Sequence, residues 1–265
     1  MASLVAVLAL DASLLGAEPE ANPLRSPSSA VGKTLFTALG PEESGIEFIN
    51  PIDTGHPLKR IYLGAFACGG VAIGDLNGDA IPDLFLTSGP RPNRLFLQSA
   101  EERLHFTDAT STSGIGDRGV WSAGATLVDI DGDGDLDIHL CNYEARNELW
   151  INDGKGRFDE QAEAFGLAIN DASLMAAFCD YDLDGDLDCF LLTRDFKRAG
   201  GRPKEHPVVK EGDMFKLKPG FEKWYDIQSR GGGRHVYVNA GREDFLLRND
   251  GPDKEGQIRF TDVSK

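Results

Sequence analysis

From about residue 44 the chain is written in short apolar runs with strand periodicity. Gly70-Val-Ala-Ile-Gly74 and Leu84-Phe-Leu-Thr87 flank an acidic stretch, and Asn93-Arg-Leu-Phe-Leu97 and Phe106-Thr-Asp108 follow it. Leu84 and Leu86 take one face of their run and Phe85 the other. Ile138 and Leu140 oppose His139 in the same way, and Cys189 and Leu191 oppose Phe190. Successive side chains of a strand point to opposite faces, so this alternation predicts strands. The 31 glycines and 13 prolines punctuate the runs with turns, which counts against a helical bundle.

The pattern repeats. Acidic loops open at Asp75, Asp129 and Asp180, in steps of 54 and 51 residues. Asn147-Glu-Leu-Trp-Ile151 stands 18 residues after Asp129, as Asn93 stands 18 after Asp75. Phe158-Asp-Glu160 then matches Phe106-Thr-Asp108, and turns at Ser113-Gly-Ile115 and Phe165-Gly-Leu167 close each unit. A period near fifty residues calls for a repeat architecture, and four short antiparallel strands per repeat, arranged radially, make a propeller blade. A β-sandwich has no need of that period.

The third unit is interrupted. Asp244-Phe-Leu-Leu-Arg-Asn249-Asp250-Gly251 matches the segment from Asn147 to Gly154 but stands 64 residues after Asp180, so an insertion occupies about 194–240. Propellers close with four to eight blades. The expectation is therefore an all-β fold, an incomplete β-propeller of about three to four blades over 44–265. Truncation explains it more readily than completion by a partner.

Three aspartates fall in the loop Asp75–Asp83 and five in each of Asp129–Asp137 and Asp180–Asp188, on a chain of net charge −16. Such acidity makes nucleic acid or an anionic membrane a poor partner. Two carboxylates about 5 Å apart repel by roughly 3 kcal/mol at an effective dielectric near 20. No Lys or Arg lies inside the loops, so the counter-charge comes from outside the motif. Side-chain oxygens recur at positions 1, 3, 5 and 9 of each loop, with a backbone carbonyl available at position 7. Alternate residues of a curled loop point inward, and a cage of hard oxygens suits calcium better than magnesium. An EF-hand needs a glutamate at position 12, where this chain has Leu86, Leu140 and Leu191. Polar Asp-Gly turns explain one such loop but not three of equal spacing.

Residues 1–17 read as a signal peptide. They are apolar from Ser3 to Gly16 except for Asp11, with a small-residue site at Leu15-Gly16-Ala17, although no basic residue precedes them. Export to the periplasm, the cell surface or the medium follows. Residues 18–43, with Pro19, Pro23 and Pro27, form a linker and lead-in. Beyond residue 20 no apolar run reaches the length of a membrane-spanning helix.

Cys68, Cys141, Cys179 and Cys189 contain no CxxC pair, which argues against zinc. Cys179 and Cys189 flank the third loop, either as a cross-strand disulfide or as buried thiols. His139 is expected to pack between blades. No HExxH, GxSxG or P-loop is present. Between Arg194 and Arg234 the insertion holds 11 basic and 6 acidic residues together with Phe215, Phe221, Trp224 and Tyr225. It either recognises an acidic glycan or peptide, or packs as an ordinary loop around its own aromatics.

Gly74-Asp-Leu-Asn-Gly-Asp79, Pro82-Asp-Leu84, Asn93-Arg-Leu-Phe96 and Phe106-Thr-Asp108 resemble the FG-GAP or VCBS repeats of integrin α-chain propellers. The chain is more closely similar to bacterial exported proteins of the cartilage acidic protein-like (ASPIC/UnbV) group. Arg198-Ala-Gly-Gly-Arg-Pro203 and Gly231-Gly-Gly233 also fit that group, although its C-terminal ASPIC segment is absent. The resemblance implies a seven-bladed propeller with calcium on one face. The ligands would be Asp75, Asn77, Asp79 and Asp83; Asp129, Asp131, Asp133 and Asp137; and Asp180, Asp182, Asp184 and Asp188. The family's sixth-position glycine is present as Gly134 and Gly185 but replaced by Ala80, and Asn77 replaces a charge, so the first site should be weakest. The implied function is a non-catalytic binding or adhesion module for a protein or glycan, with structural calcium. The alternative is part of a carbohydrate-active or lyase-type propeller enzyme, its active site in missing blades or in the insertion.

Overall fold

The computed structural model describes residues 37–64, 69–196 and 203–264. The segment read as a signal peptide and Cys68 lie outside them. The described chain is nearly all β, in antiparallel sheets, as a partial β-propeller.

The first blade is a four-stranded meander of β1 (Val71–Gly74), β2 (Asp83–Leu86), β3 (Arg94–Gln98) and β4 (Phe106–Asp108). The second follows the same course in β5 (Trp121–Val128), β6 (Asp137–Arg146), β7 (Glu148–Asn152) and β8 (Phe158–Glu160). The third begins with β9 (Asn170–Cys179) and β10 (Asp188–Thr193). It then leaves for two separate hairpins, β11 (Val208–Glu211) with β12 (Met214–Leu217) and β13 (Tyr225–Arg230) with β14 (Arg234–Asn239). The chain returns in β15 (Phe245–Pro252) and β16 (Ile258–Asp262), and β15 pairs with β10.

Both strand faces are used, as the alternation requires. Phe85 and Leu95 of the first blade pack against Ile138, Leu140 and Trp150 of the second. The opposite side of the second blade brings Cys141 and Leu149 onto Cys189, Leu191, Leu247 and Phe260 of the third. Full burial of one such leucine or phenylalanine stabilises by about 1.5–3 kcal/mol, so the blade interfaces supply the core that a single sheet lacks. The corresponding positions on the outer faces of the end blades are open. Val71 is 59% exposed, Ile73 64% and Phe190 45%.

Two features depart from a simple row of blades. The second and third are joined through hydrogen-bonded strands: the far end of β6 pairs with the start of β9, Tyr143 opposite Ala172 and Arg146 opposite Asn170. A register shift between Tyr143 and Ala145, where Glu144 has a φ of 56°, redirects β6 towards that neighbour. The other departure concerns cysteine. In the β9–β10 ladder Cys179 stands opposite Asp188 and Cys189 opposite Phe178, so the two thiols project from opposite faces of one sheet. A cross-strand disulfide between them is thereby excluded; Cys141, Cys179 and Cys189 are all free, and of the pair expected to be buried only Cys189 is, Cys179 being exposed. His139 is buried between blades, edge-on to Phe178 at 5.6 Å, and burial lowers its pKa to about 4.

Candidate metal-binding loops

Each acidic loop joins the first two strands of its blade. Its ninth residue is the first residue of the second strand and acts as a clamp. Asp83 accepts hydrogen bonds from the backbone N–H of Leu76 at 2.9 Å and of Gln98 at 2.8 Å. Asp137 accepts from Ile130 at 3.0 Å and Asn152 at 2.8 Å; Asp188 accepts from Tyr181 at 3.1 Å and Asn249 at 2.8 Å. One carboxylate thus ties the loop's second residue to the third strand in every repeat, at that strand's last residue in the first two. All three aspartates are buried. Burial is the largest influence on Asp137 and, against those two donors, pushes its carboxyl up to about 7.

The first residue organises the curl. Asp75 accepts from the N–H groups of Asn77, Gly78, Asp79 and Ala80. Partial burial raises its pKa, but those four donors outweigh it and the carboxyl is held below its ordinary value. Asp129 receives Gly132 and Gly134, and Asp180 receives Asp184 and Gly185. Accepting this many amides turns the backbone through the left-handed region. Position 6 lies there in every loop: φ is 66° at Ala80, 97° at Gly134 and 104° at Gly185. Position 4 does too, with Gly78 at 78°, Gly132 at 75° and Leu183 at 65°. A side chain in this conformation costs about 1–2 kcal/mol, so the first and third loops each carry one strained residue.

The side chains converge unequally. Oxygens of Asp129, Asp131 and Asp137 all lie within 4.8 Å of one another, and so do those of Asp180, Asp182 and Asp188. The ligand set read from spacing is thus gathered at positions 1, 3 and 9. Position 5 lies outside both groups: Asp133 and Asp184 accept the N–H of Asp135 and Asp186. The first loop has no such group of three carboxylates; Asn77 donates to Asp79 at 3.2 Å. Desolvation and the neighbouring Asp133 and Asp129 raise the pKa of Asp131. Asp186, at position 7, is pushed up to about 6 by desolvation and by Asp184, and its Oδ1 is a buried acceptor without a hydrogen-bond donor.

A second set of repeated contacts was visible in the sequence only as a spacing. Asn93 and Asn147 each accept the backbone N–H five residues upstream, from Ser88 just past β2 and from Asn142 within β6, both at 2.9 Å. Asp244, in the equivalent place, accepts from Thr193 at 2.7 Å. Asn152 reaches across the blade boundary, its Nδ2 donating to the carbonyls of Leu76 and Leu136, both at 3.0 Å.

FG-GAP-like repeats match residues 75–140 and 129–191 of the chain. Cartilage acidic protein 1 of Xenopus tropicalis is 27% identical over 190 residues, 67% of this chain and 28% of that protein. The Homo sapiens protein of the same name is 28% identical over 185 residues, 67% of this chain and 27% of its own length. The Mus musculus protein is 28% identical over 228 residues, covering 82% and 34%. The chain carries FG-GAP-like repeats and spans about a third or less of the length of these relatives.

Proposed function

We propose that the chain is an exported, calcium-stabilised β-propeller segment that serves as a non-catalytic binding or adhesion module. The observation carrying the metal reading is the convergence of Asp129, Asp131 and Asp137, and of Asp180, Asp182 and Asp188, within 4.8 Å. Two oxygens bound to one calcium at 2.3–2.6 Å stand at most about 5 Å apart, so each trio fits a common ion. The donors are hard oxygens, without thiolate or imidazole, and the unpaired buried Oδ1 of Asp186 adds a further acceptor in the loop of the second trio.

In this reading Asp129, Asp131, Asp133 and Asp137 hold one ion, and Asp180, Asp182, Asp184 and Asp188 another. Asp75, Asn77, Asp79 and Asp83 form a weaker third site. Asp133 and Asp184 would turn from their backbone partners to complete the shell. When bound, calcium supplies positive charge that offsets the aspartate repulsion; the fixed blades present the surface that recognises a protein or glycan. Similarity to cartilage acidic protein 1 supports a repeat-based binding module. Export rests on the character of residues 1–17. Among the described residues no helix is long and apolar enough to cross a membrane. We read 44–265 as one incomplete propeller carrying the 194–240 insertion.

A melting curve in calcium, in magnesium and in chelator tests the metal reading. Calcium at a hundred times its dissociation constant adds about 2.7 kcal/mol per site. The expected result is a rise in melting temperature with calcium, a smaller one with magnesium, and reversal by chelator. An unchanged melt rejects structural calcium.

A further inference from the structure

The insertion contributes two hairpins, β11–β12 and β13–β14, that form sheets of their own. They line a half-open groove of about 450 Å3, within the size range of small-molecule sites. Phe215 of one hairpin and His235 of the other stack in its wall, with ring centroids 4.5 Å apart and planes 27° from parallel. His206 meets Tyr237 edge-on at 5.1 Å. Lys210, opposite Phe215 in the β11–β12 ladder, holds its ammonium 5.8 Å from that ring's centroid. Apolar ring surface, two imidazoles, a phenol and an ammonium therefore share one recess.

The charges around it are sorted. Glu211 is engaged by Lys216 at 2.8 Å and Glu205 by Lys218 at 2.9 Å, and no carboxylate lines the groove. Lys210 has no ion pair among the described residues. On a chain of net charge −16 this recess attracts an anion that most of the surface repels. The insertion's other aromatics have structural partners. Phe221 and Tyr225 are buried, and Trp224 lies edge-on to Phe196 with Lys223 over both rings.

The geometry points to an acidic saccharide as the ligand of this groove. A carboxylate or sulfate would lie on Lys210, hydroxyls would meet the imidazole nitrogens and the Tyr237 phenol, and a sugar's C–H face would rest on the exposed His235 ring. A half-open recess of this volume suits about two sugar rings better than an extended peptide strand. The assignment deepens the binding-module reading and rests on it.

Isothermal titration of the whole chain, in calcium, with tetragalacturonate tests the assignment. The expected result is saturable binding, weakened at least about tenfold by Lys210→Ala and by His235→Ala, as loss of one charge-assisted or stacked contact requires. Both side chains are exposed, so both variants should melt with the wild type. Galactotetraose, the uncharged counterpart, should bind at least about tenfold more weakly. Absence of saturable binding, binding indifferent to both substitutions, or equal binding of the neutral tetramer overturns the assignment. Tighter binding of a decaglutamate peptide, with the same dependence on Lys210 and His235, gives the groove to acidic peptides and overturns it too. If another glycan or a peptide binds the chain and Lys210→Ala leaves it unchanged, the groove assignment fails while the binding-module reading stands.

Discussion

The first and second acidic loops share one nine-residue backbone frame and differ in what they hang on it. In both, position 1 gathers loop amides and position 9 clamps the loop to the third strand. The second loop has aspartate at every odd position and glycine at both left-handed ones; the first has Asn77, Ile81 and a left-handed Ala80. Carboxylates converge in the second and not in the first. The curl is thus a hydrogen-bonded turn that one carboxylate at each end can hold. The additional aspartates bring more repulsion than the frame needs: Asp131 and Asp133 each accept only the N–H two residues on.

That contrast can be broken in order of effect. Asp137→Ala removes the acceptor of two buried N–H groups and is expected to cost about 3 kcal/mol or more in chelator, and roughly 2–3 kcal/mol more in calcium, where a ligand of the ion is lost as well. Urea melts under both conditions check it, and a loss confined to calcium would show that the clamp depends on the ion. Asp131→Ala should act through the ion alone. It should abolish roughly 2–3 kcal/mol of calcium-dependent stability and leave the chelated protein unchanged or slightly more stable, as removal of a repelling charge implies. Asn147→Ala strands the N–H of buried Asn142 and should cost about 1–3 kcal/mol regardless of calcium. The smallest effects sharpen the contrast: Ala80→Gly and Leu183→Gly should each stabilise by about 0.5–1 kcal/mol in chelator by relieving a left-handed side chain. Leu183 is 85% exposed, so little packing is lost with it. Gly134→Ala, which imposes the same strain on the second loop, should destabilise by a similar amount.

Much of this was legible in the chain. Period-two alternation located the blade strands, because Phe85, His139 and Phe190 oppose their neighbours wherever a blade must pack on both faces. The 54- and 51-residue steps gave the repeat, and Ala80 identified the departure at position 6. What escaped depends on partners distant in sequence or on backbone torsion. The β6–β9 pairing requires Tyr143 and Ala172 to meet across a blade boundary, and nothing in either run announces a partner. Cys179 and Cys189 are symmetric about the loop in sequence, yet the ladder's register sends them to opposite faces. Leu183 looks like an ordinary apolar residue until its φ is seen. Spacing and the family resemblance put position 5 in the ligand set; what neither announces is that Asp133 and Asp184 accept the N–H two residues on in the folded loop.

Asn152 shares one amide between the carbonyls of Leu76 and Leu136, which belong to consecutive loops. Loosening either loop strands a donor held by the other, so the two cannot fray independently. Nearest-neighbour coupling of this kind turns a row of modules into a cooperative array. The first two blades should therefore lose their amide-exchange protection together, and a cation that stiffens the second will slow opening of the first, although the first offers that cation a poorer seat.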